Sequence, residues 1–137
     1  MSNFKGLAHI GLFTEDVEAS KSFYMNNLGF KLDYETKLDK PNNAWSKIAF
    51  INLNGMVIEL IEPSDKTLVK KGNNGSVDHL TIEVKNLPDI VSNLKTRGIT
   101  FETEVPIINE KLYNGVQIIF FRGPSGERLE LFEFLGR

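Results

Sequence analysis

The only two histidines of the chain occupy matching places in two halves that resemble each other. His9 lies in AHIGLFTEDV, and His79 lies 70 residues later in DHLTIEVKNL. Glu59 in NGMVIELIE and Glu130 in SGERLELFE are 71 residues apart. Imidazole nitrogens and carboxylate oxygens are ligands that transition metals prefer. The spacing therefore predicts a duplicated module whose copies, if they face each other, supply two nitrogens and two oxygens to one divalent cation.

The two glutamates lie within strand patterns, where alternation places residues two apart on one face. Glu59 then shares its face with Val57 and Ile61, and Glu130 shares its face with Phe132. A carboxylate held among apolar groups is costly unless a cation compensates it. A metal bound through nitrogen and oxygen would be Zn, Ni, Co, Mn or Fe(II) rather than Mg or Ca.

Taken one at a time, these residues have a simpler interpretation. The histidines would be ordinary strand residues with satisfied hydrogen bonds, and the glutamates would line a solvent-filled groove. The matched set of four favours the metal site. Glu62 and Glu133 fall on the opposite faces of the same strands, and we interpret them as solvent-exposed charges. The aromatic residues Phe120, Phe121 and Trp45 are expected to belong to the core rather than to a stacking platform.

The first half predicts the order βαβββ. A strand over residues 7–13 carries His9 in its middle, and a helix follows from Val17, with Asp16 or Thr14 as its cap and Gly29 as its end. Three more strands are predicted in FKLDYET, WSKIAFINL and MVIELIE, with a hairpin turn at Asn54-Gly55.

The second half repeats the order. VDHLTIEV predicts a strand, and a helix follows from an Asn86 cap with Pro88 in its first turn and Gly98 at its end. ITFETE, GVQIIFFR and ERLELFEF predict the remaining strands, and residues 105–115 are a candidate lid. The modules span residues 1–63 and 77–137, are joined by a polar linker over 64–76, and together make one α+β domain.

Composition excludes several classes of function. The 137 residues are 41% hydrophobic and 25% charged, which is typical of a globular domain, and the net charge of −2 offers no basic field for nucleic acid. The chain has no cysteine, so thiol chemistry and thiolate metal sites are excluded. No apolar run approaches the about 20 residues that span a membrane, and MSNFKGLAH lacks a signal-peptide core, so we expect a cytoplasmic protein. Phosphate-binding glycine loops and a nucleophile-elbow motif are also missing from the sequence.

The motifs HIGL, IELIEP, DHLTIEV and LELFE resemble those of the vicinal oxygen chelate superfamily, which includes glyoxalase I, methylmalonyl-CoA epimerase, extradiol dioxygenases and bleomycin-resistance proteins. The resemblance implies two βαβββ modules that form a cupped mixed sheet around a metal. It also implies the ligand set His9, Glu59, His79 and Glu130. A set of two histidines and two glutamates looks closest to glyoxalase I.

The resemblance implies a lyase or isomerase that transfers a proton next to a metal-bound carbonyl, with Glu130 by preference, or Glu59, as the proton carrier. The two histidines would hold the metal as neutral imidazoles, so acid should release it. Bacterial glyoxalase I has an arginine where this chain has Phe13, which leaves glutathione, another thiol, a coenzyme A thioester or a free hydroxycarbonyl compound as open possibilities. An epimerase and a non-catalytic drug-binding protein are the alternatives. A small-molecule substrate and a homodimer are expected, with the site formed within one chain or across two.

Overall fold

The computed structural model describes residue 3, residues 5–70 and residues 77–137. The chain divides into two compact units, Met1–Lys70 and Lys71–Arg137. The division falls inside the linker predicted over 64–76. The part of this linker that is described contains a short 3₁₀ turn at Lys66–Leu68, whereas residues 71–76 lie outside the described residues.

The first unit contains one helix and a four-stranded mixed sheet. Its elements are β1 (Ile10–Phe13), α1 (Val17–Leu28), β2 (Lys31–Asp39), β3 (Trp45–Leu53) and β4 (Met56–Pro63). The strand order is β1-β4-β3-β2, with β1 parallel to β4 and the other pairs antiparallel. Asp16 caps α1 by accepting a hydrogen bond from the Ala19 amide, and Gly29 ends the helix with φ 79°. Asn54 and Gly55 form the predicted hairpin turn, since both have positive φ between the paired ends of β3 and β4.

The second unit repeats this architecture. Its elements are β5 (Leu80–Glu83), α2 (Leu87–Thr96), β6 (Ile107–Asn109), β7 (Val116–Arg122) and β8 (Arg128–Phe134). The strand order is β5-β8-β7-β6, again with only the first pair parallel within this sheet. The α+β class and the two βαβββ modules are therefore confirmed.

Each unit buries its apolar side chains between its helix and its sheet, where α1 packs against β3 and β4 and α2 packs against β8. Burial of these faces supplies the main stabilising term of each module. The most deeply buried residues of the first unit are Tyr24, Phe30, Ala49, Ile51, Ile58 and Leu60, and those of the second are Leu87, Leu94, Val116, Ile119, Phe121, Leu129 and Leu131.

Both histidines lie just before their strands and not within them, which corrects the predicted strands over residues 7–13 and in VDHLTIEV. The parallel ladder begins at the pair Ile10–Ile58 in the first unit and at Leu80–Leu129 in the second. The partner strands β4 and β8 themselves start only one or two residues earlier, directly after a turn. Each histidine therefore lies one residue before the first pair of its parallel ladder.

The strand predicted over residues 99–104 is wrong. That segment makes a single bridge, between Phe101 and Phe121, and regular pairing with β7 resumes only at Ile107. Pro106, at the end of this interruption, has no amide hydrogen to donate to a ladder. The candidate lid over 105–115 thus contains the edge strand β6 and is not a continuous loop.

Neither helix in the described ranges is long and apolar enough to cross a membrane.

Candidate metal centre

The first module brings His9 and Glu59 together. The parallel register places Gly11 beside Glu59. His9 directly precedes β1 and can therefore reach the carboxylate on β4. The His9 Nε2 atom lies 3.2 Å from Glu59 Oε1, and the two side chains are 39% and 19% exposed. Phe50, the cross-strand neighbour of Glu59, packs edge-on against the imidazole with ring centroids 5.3 Å apart. The pair is thus half-exposed and fixed on one side by an aromatic ring.

The second module brings His79 and Glu130 together in the same way. The His79 Nε2 atom lies 3.1 Å from Glu130 Oε1, and Phe120 packs edge-on against the imidazole at 5.3 Å. Phe120 is the cross-strand neighbour of Glu130, as Phe50 is of Glu59. The same three residue types therefore build each pair from equivalent positions.

The separation of nitrogen and oxygen in each pair fits two neighbouring ligands of one metal ion. Metal–nitrogen and metal–oxygen bonds of about 2.1 Å place adjacent ligand atoms about 3.0–3.4 Å apart for angles between a right angle and the tetrahedral angle. The observed 3.2 Å and 3.1 Å fall within this range. Each module accordingly offers a preformed nitrogen–oxygen donor pair. The same separation also allows a histidine N–H to donate to the carboxylate, which satisfies the pair in the absence of a cation.

Two donors per module do not by themselves complete a metal site. Within residues 3, 5–70 and 77–137, no group of three or more His, Cys, Asp or Glu side chains has a geometry that could hold a metal ion. The structure thus brings His9 to Glu59 and His79 to Glu130, and the four-ligand site stays a prediction.

Further polar contacts surround the second pair. Thr81 Oγ1 donates a hydrogen bond of 2.6 Å to Glu130 Oε1, and Glu130 is only 7% exposed. On the other side of the imidazole, Nδ1 lies 2.7 Å from Asp78 Oδ2. Asp78 also accepts a hydrogen bond of 2.9 Å from Arg128. The hydrogen bonds from His79 and Arg128 hold the pKa of the Asp78 carboxyl below its usual range, so this carboxylate stays charged.

Arg128 is itself held in place. Its Nε and one terminal nitrogen donate to the two carboxylate oxygens of Glu102 at 3.0 Å and 2.9 Å. Its guanidinium carbon lies 3.8 Å from the centre of the Phe120 ring. Bidentate pairing and stacking restrict a guanidinium far more than a single ion pair does. Arg128 therefore connects Asp78, Glu102 and Phe120 around the second imidazole, a contact set that the sequence did not predict.

Glu62 and Glu133 are helix-capping residues, which corrects their interpretation as solvent-exposed charges. Glu62 is 8% exposed and accepts a hydrogen bond of 2.9 Å from the Val17 amide at the start of α1. Glu133 accepts hydrogen bonds of 2.8 Å and 3.1 Å from the Asn86 and Leu87 amides at the start of α2. The Asn86 side chain, predicted as the cap, makes no capping hydrogen bond, because Glu133 takes its place. A carboxylate stabilises a helix N-terminus by satisfying free amides and opposing the helix dipole.

The three aromatic residues expected in the core have different environments. Phe121 is fully buried, which agrees with the prediction. Phe120 is half-buried and supports His79 instead. Trp45 is half-buried at the start of β3, where three lysine ammonium groups lie within 5.4 Å of its ring.

Comparison with known proteins identifies the family. The family model described as Glyoxalase/Bleomycin resistance protein/Dioxygenase superfamily matches residues 6–131. The chain belongs to this superfamily. The prediction drawn from the four motifs is thereby confirmed at the level of the superfamily.

Relatives within the glyoxalase superfamily differ in what they do. The chain is 34% identical over 131 residues to the uncharacterized protein YwkD of Bacillus subtilis, a match that covers 94% of this chain and 97% of YwkD. It is 32% identical over 107 residues to the mitochondrial methylmalonyl-CoA epimerase of Bos taurus, covering 74% of this chain and 59% of the epimerase. The fold also matches the fosfomycin resistance protein FosX of Listeria monocytogenes complexed with Mn(II) and sulfate, with a TM-score of 0.68, 17% identity, and coverage of 96% and 93% of the two chains.

Proposed function

We propose that the two donor pairs, His9 with Glu59 and His79 with Glu130, together bind one divalent cation and form the active site of a glyoxalase I-like lyase or isomerase. One observation carries the proposal: both modules place an imidazole nitrogen and a carboxylate oxygen 3.1–3.2 Å apart at equivalent positions. A single duplicated histidine could be structural, whereas a duplicated pair with this separation suits shared ligation.

The donor chemistry favours a transition metal. Two imidazoles and two carboxylates suit Zn, Ni or Co, with Mn or Fe as alternatives, because Mg and Ca prefer all-oxygen surroundings. The complex of FosX with Mn(II) supports a divalent cation in this fold. Protons compete with a cation for imidazole nitrogens, so binding should weaken in acid.

A cation at this position would supply Lewis acidity to the carbonyl oxygen of a bound substrate. Glu130, or alternatively Glu59, would accept a proton from the carbon next to that carbonyl and return it to the neighbouring carbon. Phe50 and Phe120 pack against the imidazoles and hold each ring in the orientation that points Nε2 toward its glutamate. These rings also exclude water from one side of each pair, which strengthens electrostatic interactions there.

Methylmalonyl-CoA epimerase-like activity is a second candidate, since the epimerase of Bos taurus is 32% identical to this chain. It would remove a proton from the carbon next to the carbonyl of a coenzyme A thioester and return a proton to that same carbon on the opposite face. The chain spans 59% of the length of that relative, so the epimerase's own substrate remains a proposal for this chain. A non-catalytic drug-binding role is the third candidate. All three candidate functions require a small-molecule ligand. We also propose that the protein is a homodimer and acts in the cytoplasm.

Metal content tests the proposal. The chain is purified without a histidine tag, stripped with a chelator, reloaded with Zn or Co, and analysed for bound metal beside Glu130→Ala, His79→Ala and the control Glu104→Ala. Glu104 has a 97% exposed side chain, so its removal should leave metal binding unchanged. We expect one metal per chain in the wild type and the control, and a clear loss in the two site variants. Equal and sub-stoichiometric metal in all four proteins would exclude the site.

Substrate assays then separate the candidates. Hemithioacetal isomerisation with glutathione is expected for a glyoxalase I-like enzyme, and epimerisation of an acyl-coenzyme A is expected for the second candidate. Binding of a planar or cationic drug by the metal-free protein, without turnover of either substrate, would favour the third.

A further inference from the structure

We infer that the two donor pairs are unequal, and that Asp78 and Thr81 are positioning residues that make His79 and Glu130 the tighter half of the proposed metal site. The inference rests on the proposed function, because it concerns how the cation is held. The contacts that support it occur in the second module and have no counterpart at the equivalent positions of the first.

The first asymmetry concerns the glutamates. Thr81 lies beside Glu130 in the parallel register and gives its Oε1 atom a hydrogen bond of 2.6 Å. Gly11 occupies the same place beside Glu59 and has no hydroxyl group to give. Glu59 also has a side chain that is 19% exposed, against 9% for Glu130. The Glu130 carboxylate is therefore held in one orientation, whereas Glu59 must be ordered when it binds a cation.

The second asymmetry concerns the histidines. Asp78 holds the Nδ1 side of His79 at 2.7 Å and is itself held by Arg128 at 2.9 Å. The residue before His9 is Ala8, which has no acceptor to offer. A carboxylate on the far nitrogen of a ligating imidazole orients the ring and fixes which nitrogen keeps its proton. His79 thus presents Nε2 in advance, whereas the contacts of the His9 ring within the described residues are those with Phe50 and Glu59 and leave its Nδ1 side unsupported.

These contacts predict which of the two glutamates dissociates more readily from the cation. A preorganised ligand loses less conformational freedom on binding, so its contribution to affinity is larger and its dissociation is slower. Glu130 should therefore stay on the cation, and Glu59 is the carboxylate that can leave it when substrate arrives, which favours Glu59 over Glu130 as the proton carrier of the proposed function.

Matched variants test the inference through metal affinity, measured by competition of Co(II) between the protein and a chelator. Thr81→Val removes the hydroxyl at nearly constant shape, and Thr81→Ser restores it. Asp78→Ala removes the acceptor, and Asp78→Asn keeps one. Loss of contacts behind a metal ligand typically weakens binding about 10–100-fold. We expect losses of that order for Thr81→Val and Asp78→Ala, with affinity largely recovered in Thr81→Ser and Asp78→Asn.

A hydroxyl group introduced at position 11, beside Glu59, provides an independent test. A Cβ atom at Gly11 would lie 3.5 Å from Ile61 Cδ1 and 3.7 Å from Glu59 Oε1, which are ordinary contact distances. Gly11→Thr should therefore fold, donate to Glu59 and raise Co(II) affinity several-fold. Unfolding of each metal-free variant in urea controls for a merely structural effect, since a positioning role changes metal affinity more than it changes this unfolding.

The outcomes separate the two levels of the hypothesis. If the wild type binds no Co(II), the proposed function and this inference both fall. If the wild type binds Co(II) while Thr81→Val and Asp78→Ala bind it within twofold of the wild type, only the inference is overturned. A loss in Thr81→Val that Thr81→Ser does not recover, or no gain in Gly11→Thr, also overturns the role given to the hydroxyl.

Discussion

Replacing Glu62 by alanine should destabilise the first module. In the wild type, its carboxylate accepts a hydrogen bond of 2.9 Å from the Val17 amide, and its side chain is 11% exposed, so water cannot easily replace it. A hydrogen bond to a charged group contributes about 1.5–3 kcal/mol, and removal of a helix cap costs about 0.5–2 kcal/mol. The ion pair with Lys66 at 3.0 Å adds at most about 1 kcal/mol, because the lysine is 42% exposed. We expect a loss of about 2–3 kcal/mol in the free energy of unfolding.

The dependence of this stability on pH follows from the same contacts. Burial raises the pKa of Glu62, but the Val17 amide and the Lys66 ammonium together outweigh it, so the pKa of the folded state lies below the ordinary value of 4.5. A carboxyl whose pKa is depressed on folding stabilises the fold above its unfolded pKa. That contribution is lost as the pH falls through the folded value. Glu62→Gln, which cannot ionise, should therefore lose less stability than the wild type between pH 6 and pH 3.

Urea unfolding followed by far-UV circular dichroism measures both effects. Glu104→Ala is the control, since its side chain is 97% exposed and its ion pair with Lys95 is long, at 3.5 Å, so its removal should cost little. A loss below about 0.5 kcal/mol in Glu62→Ala, which is the range of ordinary surface substitutions, would refute the capping role. An acid sensitivity of Glu62→Gln equal to that of the wild type would refute the charge argument.

Three further predictions concern other positions and are checked by the same unfolding measurement. Glu133→Ala should cost about 1–2 kcal/mol, because the Asn86 and Leu87 amides at the start of α2 lose their acceptor, and an unchanged stability would contradict this. Gly123→Ala should cost about 1–3 kcal/mol, because its Cβ would lie 2.4–2.6 Å from the buried Glu127 carboxylate; a neutral result would show that this carboxylate can move. Gly55→Ala should cost about 1–2 kcal/mol, because the turn holds this residue at φ 95°, and a gain in stability would contradict the strained conformation.

Local signals in the sequence were sufficient for most of the fold. The Asn54-Gly55 turn, the Asp16 cap and the Gly29 stop act through residues that are neighbours in the chain, so each could be predicted from the sequence alone. Strand ends were not predicted correctly, because they depend on backbone pairing between segments that are distant in the chain. His9 and His79 lie just outside β1 and β5, and the segment expected to be a strand over residues 99–104 makes a single bridge, between Phe101 and Phe121.

The candidate site likewise combines features that the sequence predicted with features that it did not. Duplication predicted one imidazole and one carboxylate in each module, and the structure brings them together as His9 with Glu59 and His79 with Glu130. Alternation also placed Glu62 on the same face as Ile58 and Leu60, the buried face beneath α1, and this signal could have identified it as a cap. The contacts of Thr81 and Arg128 depend on register and side-chain conformation, which composition and periodicity do not encode.

A crystal structure of the cobalt-loaded protein, with anomalous scattering recorded at the cobalt edge, tests the central claim most directly. We predict one anomalous peak per site within about 2.0–2.3 Å of His9 Nε2, His79 Nε2 and the carboxylate oxygens of Glu59 and Glu130, within one chain or across two. Separate peaks on the two pairs, or no peak beside either histidine, would contradict the shared metal site.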